Sequence, residues 1–254
     1  VNWVNPLLAG LASWLTYRLG KQTLGEKRAL LGALLLSTSP LFLIQAGSLL
    51  SHMWSLVLAI GFALFWLDGL EQENKSPGWL ASLAGGLCLG TLGLTRPLTA
   101  AAVALPFAVQ GLFLLFQGPG WKRNRILLVG GITLVLIGLF FLWQYAVTGS
   151  FTTNPYTLWW QYDKFGFGQG HGVVQGGHTL AQGWRNTNFS LKVASSDLFG
   201  WVRFSWIFLP FGLWAVRKRP LAYYAAGITG SLVIVYLAYW VSSWLLGSRY
   251  YFEA

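Results

Sequence analysis

The sequence predicts an all-α, polytopic integral membrane protein with about eight transmembrane helices and one large outer-face loop. Three observations predict it. The chain is 55% hydrophobic and only 9% charged, where a soluble domain carries about 25% charged residues. Its apolar runs recur at close to the ~20 residues that a helix needs to cross a bilayer. Finally, eleven of its seventeen Lys and Arg residues occupy every second gap between those runs: Arg18, Lys21, Lys27 and Arg28; Lys75; Lys122, Arg123 and Arg125; and Arg217, Lys218 and Arg219. Positive charge in short loops stays on the cytoplasmic side. The alternate gaps hold Arg96, Arg249, all three histidines and a glycine-rich segment. That distribution places the chemistry on the outer face of the cytoplasmic membrane.

The elements follow in order. Residues 3–19 form the first expected span and 29–46 the second, with Pro40 as a bend. The third runs from about His52 to Leu67, with Ser51 as an N-cap. A polar linker, 71–77, leads into an apolar stretch from Trp79 to Phe116. At about 1.5 Å per residue this stretch exceeds a bilayer by roughly half. Pro97 disfavours helix at Arg96, so the stretch reads as two spans, 79–94 and 98–116, turning over at the outer surface. Spans at 126–147, 201–216 and 221–246 complete the count. Trp79, Trp121, Trp143, Trp201 and Trp244 fall near span ends, where an apolar ring with a polar edge suits the interface. Between the sixth and seventh spans lies the outer loop, 148–199. Thr179 and Gln182 form a capping-box pattern that opens a surface helix. The whole of 1–254 reads as one membrane domain. The chain starts at Val1 with its only Met at position 53, so it is expected to be a piece of a longer protein.

Several classes are set aside. The net charge of +10 is accounted for by topology, so no nucleic-acid partner is expected. Cys88 is the only cysteine and sits in an apolar run, which excludes an intrachain disulfide. The glycine tract from Gly166 to Gly177 contains Gly-x-Gly spacing but follows a turn-rich loop rather than a strand, against a dinucleotide site. Its backbone amides suit an anion.

Arg96 is the sharpest functional candidate, because an arginine within the bilayer is costly and usually snorkels or has a task. Its planar fork matches a phosphate, and Arg249 is the natural partner. His52, His171, His178 and Tyr250 are the candidates for sugar or acceptor contacts. Asp163 and Glu253 are the outer carboxylates that could serve as a base, and Asp197 is expected to pair with Arg203. The histidines lack tight metal spacing. No metal site is assigned and no cofactor is required, although a divalent metal stays open.

Three segments resemble the GT-C-type membrane glycosyltransferases, a group that includes protein O-mannosyltransferases and aminoarabinose transferases. They are Leu34-Leu35-Leu36-Ser37-Thr38-Ser39-Pro40-Leu41-Phe42-Leu43 with Leu50-Ser51-His52, Gly90-Thr91-Leu92-Gly93-Leu94-Thr95-Arg96-Pro97, and Arg249-Tyr250-Tyr251-Phe252-Glu253-Ala254. The loop Phe165-Gly166-Phe167-Gly168 with Gly177-His178-Thr179 is similar to a bacterial branch of that group. The resemblance implies a membrane lipid environment and a polyprenyl-phosphate-linked sugar as donor. It implies a base, an Asp or Asp-Glu pair in a first outer loop, expected upstream of Val1. It maps donor-phosphate recognition onto Arg96 and Arg249. A transporter or flippase is the alternative from a different class, expected to carry charge or broken helix at mid-membrane depth.

Overall fold

The computed structural model describes residues 3–71, 76–207, 209–242 and 246–254; Lys75 and Trp244 lie outside them. Ten α-helices are formed among the described residues: α1 (Val4–Leu24), α2 (Glu26–Ser37), α3 (Pro40–Gly47), α4 (His52–Glu71), α5 (Ser76–Thr95), α6 (Pro97–Gln117), α7 (Gly120–Thr148), α8 (Leu180–Asp197), α9 (Leu209–Val216) and α10 (Pro220–Leu237). Four of them (α4 to α7) are long and apolar enough to cross a membrane, or five spans if α2 and α3 count as one. That pair is bent by 59°, because Pro40 cannot donate to the preceding turn and Ser39 restarts the helix by capping Phe42.

The expected seventh span forms differently. Of the described residues in 201–216 only the eight of α9 are helical, about 12 Å long and too short to cross. Gly200 and Val202 both take positive φ, and Pro210 has no amide N–H to continue a helix arriving from Trp201. α10 is likewise short of a full span, its apolar part covering Leu221–Leu237.

α4 is the centre of the bundle: two thirds of its apolar stretch is inside the protein, against 17% for α7. α5 lies between α4 and α7. Its close approach to α7 depends on Gly86, Gly90 and Gly93, spaced one helical turn apart. A Cβ at Gly90 would stand 2.5 Å from Leu136, so only bare backbone permits the contact. Phe62, Trp66, Phe107 and Tyr224 fill the middle of the bundle. Phe107 and Tyr224 stack at 4.3 Å, which ties α10 to α6.

Side-chain hydrogen bonds clasp both ends of the bundle. At one end Asn5 donates to the carbonyls of Ser48 and Leu50. At the other, Gln22 donates to Asp68 at 2.8 Å. Arg125, placed by sequence among the cytoplasmic basic residues, is instead buried, at 1% exposure. It donates to the Gly69 carbonyl at 2.6 Å and stands over the rings of Trp79 and Trp121. The last carbonyls of a helix lack internal partners and carry partial negative charge, so a cation there secures the end of α4.

Candidate functional site

The site forms at the end of the bundle opposite Arg125. α5 ends at Thr95 and α6 begins at Pro97, so Arg96 is the single residue of the turn, and its extended ψ (77°) ends the first helix. Its side chain folds inward to 10% exposure and meets Glu253 at 2.9 Å. The same nitrogen of Arg96 contacts His52 Nδ1 and donates to Ser55 Oγ at 3.3 Å. The other terminal nitrogen reaches the Tyr236 hydroxyl at 3.4 Å, and that hydroxyl shares a 2.8 Å hydrogen bond with Thr99. His52 and Ser55 lie one turn apart on α4, while Arg96 and Thr99 have the same spacing around the start of α6. Each pair therefore faces the same way.

Glu253 is fully buried. Oε1 takes hydrogen bonds from Arg96 and Ser55, whereas Oε2 is buried without a partner among the described residues. Burial pushes its carboxyl above the usual range, and Arg96 pulls in the opposite direction. Glu253 follows a 3₁₀ turn, Arg249–Tyr251, whose first residue is the second predicted phosphate ligand. Arg249 donates to the Tyr250 hydroxyl at 3.2 Å and lies over the Tyr250 ring at 5.0 Å. Its Nε is buried with no hydrogen-bond partner. Arg249 and Arg96 both lie within electrostatic reach of His52.

Four tyrosines bind this cluster to the rest of the molecule. Tyr236 stacks on Tyr250 at 5.1 Å, and Tyr239 and Tyr251 pack edge-on against the pair. Tyr251 donates to Thr187 on α8 at 3.3 Å. Asp163 accepts from the Tyr239 hydroxyl at 3.1 Å and from Trp240 Nε1 at 2.9 Å. Both donors use Oδ1, so this carboxylate anchors the loop to the tail of α10. Burial raises the Tyr239 phenol well above its ordinary value, keeping it protonated as the donor.

His178 lies beneath the loop at 2% exposure, stacked on Phe167 with Nε2 at 2.9 Å from the Leu237 carbonyl. His171 sits at the loop's rim, half-buried, with Nδ1 at 3.3 Å from the Gln169 carbonyl. The loop folds back tightly because Gly177, at φ +80°, passes so close to the Gly168 carbonyl that a Cβ would stand 1.9 Å from it. The structure thus brings together His52, Arg96, Arg249, Tyr250 and Glu253, connects Asp163 through Tyr239, and leaves His171 and His178 in the loop. Ser55, Thr99 and Tyr236 were not singled out from sequence; for Ser55 and Thr99 the signal was there in helical spacing, three residues from His52 and three from Arg96, whereas Tyr236 on α10 carries no such local signal. Asp197 and Arg203 form no ion pair with each other. Among the described residues no three His, Cys, Asp or Glu side chains gather as a metal site.

Beside Pro97 an apolar groove of about 190 Å³ opens between α5, α6 and α7, lined by Leu89, Gly93, Ala100, Ala104 and Phe140 among others. Small side chains on α5 and α6 form its floor, and it adjoins the turn that carries Arg96.

A helical membrane bundle with its buried ion pair, tyrosines and histidines gathered at one end is the class of protein that fold and site define. The family model for dolichyl-phosphate-mannose-protein mannosyltransferases matches residues 1–143, more than half of the chain. The protein belongs to that family and is a membrane glycosyltransferase of the mannosyltransferase type. No curated protein and no solved structure shows significant similarity to the chain. The matched region includes His52, Ser55, Arg96 and Thr99, whereas Tyr236, Arg249 and Glu253 lie beyond it.

Proposed function

We propose that this glycosyltransferase takes its sugar from a polyprenyl-phosphate carrier and transfers it to an acceptor on the outer face of the cytoplasmic membrane, with the donor phosphate bound at Arg96 and Arg249. The observation that carries this reading is the position of Arg96. It occupies a one-residue turn between two candidate spans and points inward among groups that suit a polar ligand. The groove beside Pro97 offers the first isoprenoid units an apolar bed next to the turn that carries Arg96. As the glycosidic bond breaks, negative charge builds on the lipid phosphate. Cations already held in place stabilise that charge without reorganising, which is where such groups act most strongly. His52 and Tyr250 face the same cluster and supply sugar contacts, while Asp163 holds the loop against the site. In this reading His171, at the loop rim, contributes to the acceptor contacts.

A transporter reading expects charge or broken helix at mid-depth. The α2–α3 bend is a broken helix, but Thr38 and Ser39 at the break carry no charge. The family assignment and the end-on clustering of polar groups favour the transferase.

The test is transfer from polyprenyl-phosphate mannose by the full-length protein in lipid. Arg96→Ala is expected to reduce turnover by about a hundredfold or more, the scale of losing a transition-state donor. Arg96→Lys is expected to recover only part, since an ammonium lacks the fork. Arg185→Ala, on the exposed face of α8, is expected to stay within about twofold of the parent, the ~0.5 kcal/mol typical of surface changes. Parental turnover in Arg96→Ala would remove the proposed donor site.

A further inference from the structure

We infer that Glu253 is a built-in stand-in for the donor phosphate, and that the segment Arg249–Glu253 is an exchange gate: an incoming polyprenyl-phosphate sugar displaces the Glu253 carboxylate from Arg96 and takes up Arg249 in the same movement. The inference rests on the proposed donor site and concerns how that site is controlled.

The geometry points this way on three counts. One terminal nitrogen of Arg96 is taken up by Glu253, Ser55 and His52, while the other makes a single 3.4 Å contact, to Tyr236. An anion can engage both nitrogens of the fork only if the present carboxylate leaves the first. Secondly, that carboxylate is incompletely satisfied, because Oε2 is buried with no partner. An ionised oxygen out of water without a hydrogen bond is a costly arrangement, so the plug is held less firmly than its 2.9 Å contact suggests. Thirdly, the complementary defect is on the same short segment. Arg249 Nε is a buried donor with no acceptor. One orphan acceptor and one orphan donor thus sit four residues apart, on the 3₁₀ turn Arg249–Tyr251 and just after it.

The phosphodiester of a polyprenyl-phosphate sugar resolves both. Its two non-bridging oxygens diverge from a tetrahedral phosphorus, so one can replace Glu253 on Arg96 while the other accepts from Arg249. The part of the segment that would shift carries ring contacts, Tyr250 on Tyr236 and Tyr251 beside it, while Phe252 keeps it anchored in the core. Flat rings can slide on one another with small loss. A rearranged turn would also alter Tyr239, which packs on Tyr250 and holds Asp163 of the loop. Donor binding is thereby relayed to the glycine-rich loop. Without donor, the plug keeps Arg96 from capturing other anions.

The experiment measures binding of a polyprenyl-phosphate mannose to the full-length protein in phosphatidylcholine nanodiscs. Glu253→Gln removes the competing charge but keeps a group of the same shape near Ser55. It is expected to bind about tenfold more tightly than the parent, and Arg96→Ala is expected to lose binding in both backgrounds. Ser55→Ala removes the hydrogen bond that steadies the plug without touching any charge, and is expected to tighten binding about threefold. It decides the question by itself if Glu253→Gln does not fold. Arg96-dependent binding that is unchanged or weaker in these variants overturns the gate. Glu253 would then be a positioning partner of Arg96, and the donor site would stand. Binding that ignores Arg96 in every background removes the donor site, and the gate with it.

Discussion

The Arg96–Glu253 pair makes a quantitative prediction about stability. Both groups are withdrawn from water, with side-chain exposures of 10% and 0%. Removing one member of a buried pair strands the other and costs about 3–5 kcal/mol. The two single substitutions should differ. Arg96→Met leaves the Glu253 carboxylate with only Ser55 as a donor and belongs at the upper end of that range. Glu253→Met leaves Arg96 with His52, Ser55 and Tyr236 as neutral partners and belongs near about 3 kcal/mol. Replacing both by Met removes both desolvation costs and fills the space with apolar atoms, a change that is often neutral or stabilising. The double variant should therefore fall within about 2 kcal/mol of the parent, giving a coupling energy above the ~0.5 kcal/mol expected of independent sites. Equilibrium unfolding in mixed micelles, followed by tryptophan fluorescence, measures all four proteins. A double variant whose loss equals the sum of the two singles would refute a direct buried pair and detach Glu253 from Arg96.

Two further predictions address packing and orientation. Gly183→Ala places a Cβ 2.3 Å from the Leu237 carbonyl, the same oxygen that meets His178. Backbone cannot yield there, so α8 should lift from α10 at a cost of about 1–3 kcal/mol, with faster amide exchange across 162–178; unchanged exchange would show that α8 is not seated as described. For orientation, single cysteines in a Cys88→Ala background should be labelled from the cytoplasmic side at Lys122 and Lys218 and from the outer side at Gln175. Labelling of Gln175 from the cytoplasm would reverse the faces.

What was legible in the sequence, and what was not, divides by distance along the chain. The break at Arg96-Pro97, the bend at Pro40 and the cap at Thr179 each depend on residues within a single helical turn, and each is formed where expected. The expected span at 201–216 was read from hydropathy alone. The local backbone signals, Gly200 and Pro210, outweigh it in the structure. Nothing in hydropathy distinguishes an apolar helix from an apolar segment interrupted by turns. The Arg96–Glu253 pair spans 157 residues and depends on which helix ends the bundle brings together, so no local pattern could supply it. Yet the chain contains only seven Asp and Glu residues, and three of them, Asp163, Asp197 and Glu253, belong to the end of the bundle that carries Arg96. A buried arginine needs an acceptor of its charge. The partner of Arg96 was therefore confined to three candidates before any helix was packed. Two of those three are engaged where the structure resolves the choice, Asp163 with Tyr239 and Trp240 and Glu253 with Arg96. In a chain this poor in carboxylates, counting acids at one end of a bundle is a stronger guide to an ion pair than proximity in sequence.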